Sequence, residues 1–374
     1  MRKYLYKRMW MLLLVPVSFL ILYIAEKNSW IAEHVFARGI YYYLSQILST
    51  VTGGFPFSIA EIFVLCSPIL VILVIVLFLR HIAMSEGRRK TVIYKAVLNV
   101  LCVISAAFFI YVITDSVNYY RYPFSYYAGF EVEKSTVDEL YTVGEDIVMR
   151  ANEIREELVN EDDEGVFKLT GSMGEVSEMA REAYKTLGKE YPVLKGHYGK
   201  NKIFLTSKYI SYSKMVGLFV PFTMEANNNV DVVQYNIPSD MCHELAHLHG
   251  FIKEDEANYI AYLACTNSGN REFEYSGLVQ AYICIENALY EADLKKCEEL
   301  TGKLSDKVRR DVNSNSIYWK KIEDTKTGKN VSSAAESIND EYLKANGQEE
   351  GVKSYGLMVD LLISQYRSEG FLKD

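Results

Sequence analysis

The run Met241-Cys242-His243-Glu244-Leu245-Ala246-His247-Leu248-His249-Gly250 concentrates the chemistry of this 374-residue chain, holding three of its six histidines. An α-helix repeats about every 3.6 residues, so His243 and His247, four apart, project from one face. Neutral imidazoles placed that way suit a zinc ion. Glu244 stands beside them, where a carboxylate can take a proton from a water made acidic by the metal. A five-residue HExxH pattern is short, so its setting matters. Pro238, Ser239 and Asp240 precede it as helix start and cap signals. Leu245 and Ala246 give apolar backing, and Gly250 supplies a terminating glycine.

A catalytic zinc usually takes three protein ligands and keeps one position open, so two histidines leave it one short. Glu254 and Asn258 lie four apart on one helical face just downstream, with the small Ala257 between them. This arrangement resembles the gluzincin metallopeptidases, where a glutamate ligand is followed four residues later by Asp or Asn. The resemblance implies that Glu254 is the third ligand and that Asn258 steadies a ligating histidine. Glu256 is the competing ligand, and a plain acidic first turn is the alternative without metal. His249 lies about 200° around the helix from His247, away from such a metal, and reads as a C-terminal helix residue favoured by the dipole, with substrate contact as the alternative. A zinc hydrolase also needs a donor for the developing oxyanion. Tyr275 and Tyr355 are candidates among 29 tyrosines.

The elements that must carry these residues begin in a membrane. Net charge −8 and a pI near 5.5 exclude nucleic acid as the expected partner. The average conceals a split: residues 1–116 hold 11 Lys+Arg and 5 Asp+Glu, while residues 117–374 hold 29 and 43. Three apolar runs, 9–25, 57–79 and 96–114, each approach the roughly 20 residues that span a bilayer. Two further spans and the lack of a small-x-small cleavage site argue that the first is a retained anchor rather than a signal peptide. Basic residues crowd the N-terminal tail and the second connection (Arg80, Arg88, Arg89, Lys90, Lys95), whereas the first connection has only Lys27 and Arg38. The positive-inside rule then places residues 117–374 outside the cytoplasm. Cys242, Cys265, Cys284 and Cys297 lack zinc spacing; a Cys284–Cys297 disulfide is conceivable, but buried thiols fit better.

The fold expected is α+β: a three-helix membrane anchor over 1–116, then a mostly helical zincin-like domain with a small sheet over 117–374. Helical patterns cover 136–159, 173–187 and 275–300, and again 333–345 and 354–367. The acidic 161–165 stretch reads as a solvated turn, with calcium binding as the alternative. Alternating residues at 202–206, 217–222 and 223–233 suggest short strands. An edge strand there would hold an extended peptide, making Glu225, Asn227 and Asn228 candidate substrate contacts. An asparagine-rich turn explains the same residues.

Three spans, the segment Pro221-Phe222-Thr223-Met224-Glu225-Ala226-Asn227, the HELAH run, residues 254–258 and Phe273-Glu274-Tyr275-Ser276 occur together in one bacterial family of membrane proteins, a domain of unknown function (DUF3810). The chain resembles that family over nearly its full length. The expectation is a membrane-anchored zinc metallopeptidase acting on envelope peptides or proteins at the outer face of the cytoplasmic membrane. The alternative keeps the zinc but serves as an envelope sensor or scaffold. An intramembrane protease is excluded, because the HELAH run lies roughly 130 residues past the last span, amid charged sequence. The topology is testable directly. A reporter fused after Asp374 should behave as exported and one near Arg88 as cytoplasmic; a cytoplasmic C-terminal reporter would reverse the orientation.

Overall fold

A computed structural model describes residues 8–345 and 358–372. Three helices in it are long and apolar enough to cross a membrane: Arg8–Lys27, Ile59–Ala83 and Arg89–Tyr120. The regular part of the first is α1 (Leu14–Lys27). The connection that follows is not a loop. It is a nearly unbroken helix, α2 (29–53), whose middle stretch Ala32–Tyr41 is wound as a π-helix. Next come α3 (Ile59–Ala83) and α4 (Arg89–Thr114). Small buried residues, Ala25 and Ala32 with Val112 and Val117, close the junction where α1, α2 and the end of α4 meet.

The remaining helices begin where the local chemistry says they should. α5 (Val137–Glu157) and α6 (Met173–Glu190) each open on a capping box, Thr136 with Glu139 and Ser172 with Glu175. A three-stranded sheet follows: β1 (Lys202–Ile203), β2 (Gly217–Val220) and β3 (Glu225–Asn228). Its order is β1-β3-β2, with β1 parallel and β2 antiparallel to β3. The expected edge at residues 225–229 is therefore the central strand. The chain then runs through α7 (Ile237–Leu248), α8 (Glu254–Thr266) and α9 (Arg271–Ala292). Asp293 breaks the expected 275–300 helix, capping α10 (Leu294–Thr301) through Lys296 N–H. α11 (Asp306–Glu323), α12 (Lys326–Ala345) and α13 (Met358–Ser368) complete the fold. α9 packs on α5 and α8 packs on α7, around one continuous apolar core.

Two polar devices lock this packing. The buried guanidinium of Arg155 bonds Asp311 through Nε at 2.5 Å and Glu161 through Nη1 at 2.9 Å. Asp311 in turn accepts from the Tyr275 hydroxyl at 2.6 Å and from Phe167 N–H at 2.8 Å. The acidic turn is thereby tied down: Glu161 holds Arg155, and Asp162 accepts from the Glu164 and Val166 N–H groups. The second device joins the sheet to α3. Glu225 accepts from the Ile59 and Ala60 N–H groups, both at 2.9 Å, satisfying donors at the helix N-terminus. Glu61 reciprocates, accepting from the Leu205 and Thr206 N–H groups at 2.8 and 2.9 Å.

The cysteines are all free thiols, Cys284 and Cys297 included. Asp311→Ala should cost about 3–5 kcal/mol, because it removes one of the two carboxylates that hold the buried Arg155 and leaves the Tyr275 hydroxyl without its acceptor. Arg271→Ala, which removes exposed pairs with Glu157 and Glu274, should change little. Chemical denaturation of the two purified full-length variants checks the contrast.

Candidate metal centre

α7 starts one turn earlier than Ser239 and Asp240 imply. Asn236 is its N-cap residue, Pro238 sits in the first turn, and Ser239 lies inside, its N–H donating to Ser276 Oγ at 3.0 Å. The helix ends at Leu248, and Gly250 takes φ +90°, a left-handed conformation that lets the chain reverse. Phe251 N–H closes the end on Ala246 O at 3.1 Å. A side chain at Gly250 would press on Arg121 and Tyr41, at 3.0 and 3.1 Å from its Cβ. The reversal is tight enough for α8 to begin at Glu254 and lie against α7.

That reversal brings three donors together. His243 Nε2 and His247 Nε2 are 3.0 Å apart, and Glu254 Oε2 lies 3.1 Å from the first and 3.6 Å from the second. Tetrahedral zinc with bonds of about 2.0–2.1 Å needs ligand atoms roughly 3.3 Å apart, so the triangle has the right size. The far nitrogens are already engaged. His243 Nδ1 bonds Asn258 Oδ1 at 2.8 Å, and His247 Nδ1 bonds Phe251 O at 2.9 Å. These outer bonds fix both rings with Nε2 turned inward. Among the described residues, this is the one cluster of three or more His, Cys, Asp or Glu able to hold a metal. The donor set of two imidazoles and one carboxylate is one that zinc accepts.

The electrostatics are those of a buried charge cluster. Burial opposes the ionised Glu254, but the two histidines outweigh it and hold the carboxyl well below its usual range. Burial also lowers the His247 pKa, and Glu254 more than reverses that, raising it to about 9. Glu244 differs, because burial dominates and lifts its carboxyl to about 7. Its Oε2 is buried without a hydrogen-bond partner, while the Phe219 backbone N–H bonds the carboxylate. β2 thus passes directly over Glu244, and it can do so because residue 217 is glycine. A Cβ there would lie 2.2 Å from Glu244 Oε1. Asp240, one turn upstream, is a further buried carboxyl, pushed up to about 7 by burial with His243 opposing.

Other candidates from the sequence lie elsewhere. Glu256 points to Lys253, at 3.9 Å, and to Phe124 N–H, not to the histidines. Tyr275 is fully buried and its hydroxyl donates to Asp311 rather than facing the histidines. Glu225 is spent on α3, so it is no substrate contact. Asn227 donates to the Leu218 and Glu225 carbonyls, and Asn228 accepts from Asn201, within the middle of the sheet. His249 is buried at the helix end. Burial lowers its pKa to about 4, and its ring stacks on Tyr184 while Nδ1 bonds Leu245 O at 2.6 Å. Tyr355 lies outside the described residues. The roles of Phe251 O and Asp240 leave no mark in the sequence, and the approach of β2 leaves only one, Gly217 at a strand start.

A family model described as "Protein of unknown function (DUF3810)" matches residues 36–363. No curated protein and no solved structure matches the chain. The geometry predicts metal content residue by residue. His243→Ala and His247→Ala should abolish stoichiometric zinc, Glu254→Ala should weaken it strongly, and Glu256→Ala should leave it intact. Asn258→Ala should lower affinity by about 10–100-fold, the usual effect of losing a bond that orients a ligand. Metal analysis after dialysis against graded chelator separates these outcomes.

Proposed function

The chain belongs to the DUF3810 family, whose description assigns no activity, and we propose from its own residues that it is a membrane-anchored, zinc-dependent peptide hydrolase. One observation carries the reading. Three donors on two helices converge to 3.0–3.6 Å, and Glu244, next to the first histidine, presents a buried carboxylate oxygen with no partner. A structural zinc site closes with a fourth ligand and has no use for a base.

Zinc, when bound, supplies a Lewis acid that polarises a carbonyl and makes water acidic near neutral pH. Glu244 accepts the attacking water's proton at Oε2 and returns it to the leaving amine. Burial raises this carboxyl, and the positive charge of a bound metal would draw it back down, leaving Glu244 ionised and able to accept the proton. Asn258 and the Phe251 carbonyl keep the two rings aimed. β2 is the edge strand nearest Glu244, so it takes over from β3 as the strand beside which an extended substrate can pair. The basic tail and second connection support a site on the outer face of the cytoplasmic membrane.

The test turns on Glu244→Gln. Glutamine keeps the size of the side chain and removes the proton acceptor, so zinc content should be unchanged. Turnover on a peptide found by library screening should fall by about 10²–10⁴-fold. Activity persisting in this variant would overturn the mechanism. Stoichiometric zinc in a wild type that cleaves nothing would favour the scaffold.

A further inference from the structure

α2 carries its polarity the wrong way round for a water-facing connector. The face it turns to the rest of the protein is mostly polar or small, with Glu33, Tyr41, Ser45, Ser49 and Thr52 buried and Phe36 and Leu48 packed beside them. These residues are well partnered. Glu33 accepts from Arg121 Nε and Nη2 at 3.1 and 3.2 Å. The Tyr41 hydroxyl reaches the carbonyl oxygens of His247 and Leu248 at 2.9 and 3.2 Å. Gln46 and Ser49 accept from the His197 and Gly199 N–H groups at 2.7 and 3.3 Å.

The outward side holds Trp30, Val35, Ile40, Tyr43, Ile47 and Val51, between 43% and 64% exposed, with the exposed His34, Arg38 and Thr50 among them as polar groups suited to the headgroup level. In an α-helix residues five apart diverge, but the wider π turn over Ala32–Tyr41 swings 30, 35 and 40 toward one side. A surface helix in water has the reverse arrangement, apolar inward and polar outward. A contiguous exposed apolar strip of this kind marks an interaction surface.

The topology names the occupant. α1 ends at Lys27 and α3 begins at Ile59, and both belong to segments long and apolar enough to cross a bilayer. Two successive crossings leave and re-enter the membrane at the same face, so the helix joining them lies at that face. Tryptophan and tyrosine among aliphatics are the side chains that settle at the boundary between headgroups and acyl chains. We infer that α2 is an interfacial helix, its apolar strip seated in the bilayer and its polar back holding the C-terminal end of α7. The inference concerns seating alone and stands or falls independently of the hydrolase reading.

Tryptophan fluorescence of the full-length protein in phospholipid vesicles tests it. Trp10→Phe with Trp319→Phe leaves Trp30 as the sole reporter; a Trp319-only protein is the reference. Lipids brominated near the headgroup end of their chains should quench Trp30 severalfold more strongly than Trp319, and chain-end bromines should quench it less. Ile47→Trp in a background lacking the three native tryptophans reports the middle of the strip and should behave like Trp30. Absence of quenching at either position overturns the inference and points to cover by a second copy of the chain. Stronger quenching by chain-end bromines overturns it too, because the helix would then be buried deep rather than seated at the interface.

Discussion

Burying two imidazoles and a carboxylate within 3.0–3.6 Å of one another is costly unless a positive charge, proton or metal, sits among them. Much of the molecule can be read as the means of enforcing that approach. The left-handed Gly250 lets α8 fold back within a few residues of α7. Asn258 and the Phe251 carbonyl remove the rotational freedom of the rings. Tyr184 accepts its place behind α7 by donating to Cys242 O, and Asn201 ties β3 to Met241 O. The cluster is rigid because each element touching it is itself pinned.

The same enforcement reaches the long apolar helices. Tyr41, on the connector between the first two apolar helices, donates to the His247 and Leu248 carbonyls at the end of α7, adding to the Gly250 N–H bond that His247 O already accepts. The Glu33–Arg121 pair lies behind it, with the Arg121 guanidinium stacked over Phe251, whose carbonyl orients His247. The carboxylate exchange of Glu225 and Glu61 fastens the start of α3 to the sheet that carries β2. The long apolar helices and the candidate site are therefore joined by shared hydrogen bonds.

What was legible in the sequence was what depends on local geometry. Four-residue spacing placed His243 beside His247, capping residues located α5 and α6, and apolar length identified the three long helices. Glu254 and Asn258 came from a resemblance whose residues were present at matching positions. Features set by distant partners were not legible. Glu225 looked free for a substrate because the N–H groups it satisfies are 165 and 166 residues away. β3 looked like an edge because strand order is not written in a strand. α2 escaped notice as a helix because a π-helical five-residue spacing resembles neither the 3.6 nor the 2.0 period, and its buried face is polar.

X-ray absorption at the zinc edge of the zinc-loaded full-length protein tests the central claim most directly. Coordination by His243, His247 and Glu254 predicts only nitrogen and oxygen neighbours at about 2.0–2.2 Å, with outer-shell scattering from two imidazoles. Sulfur at about 2.3 Å, or a shell lacking imidazole scattering, would contradict the account.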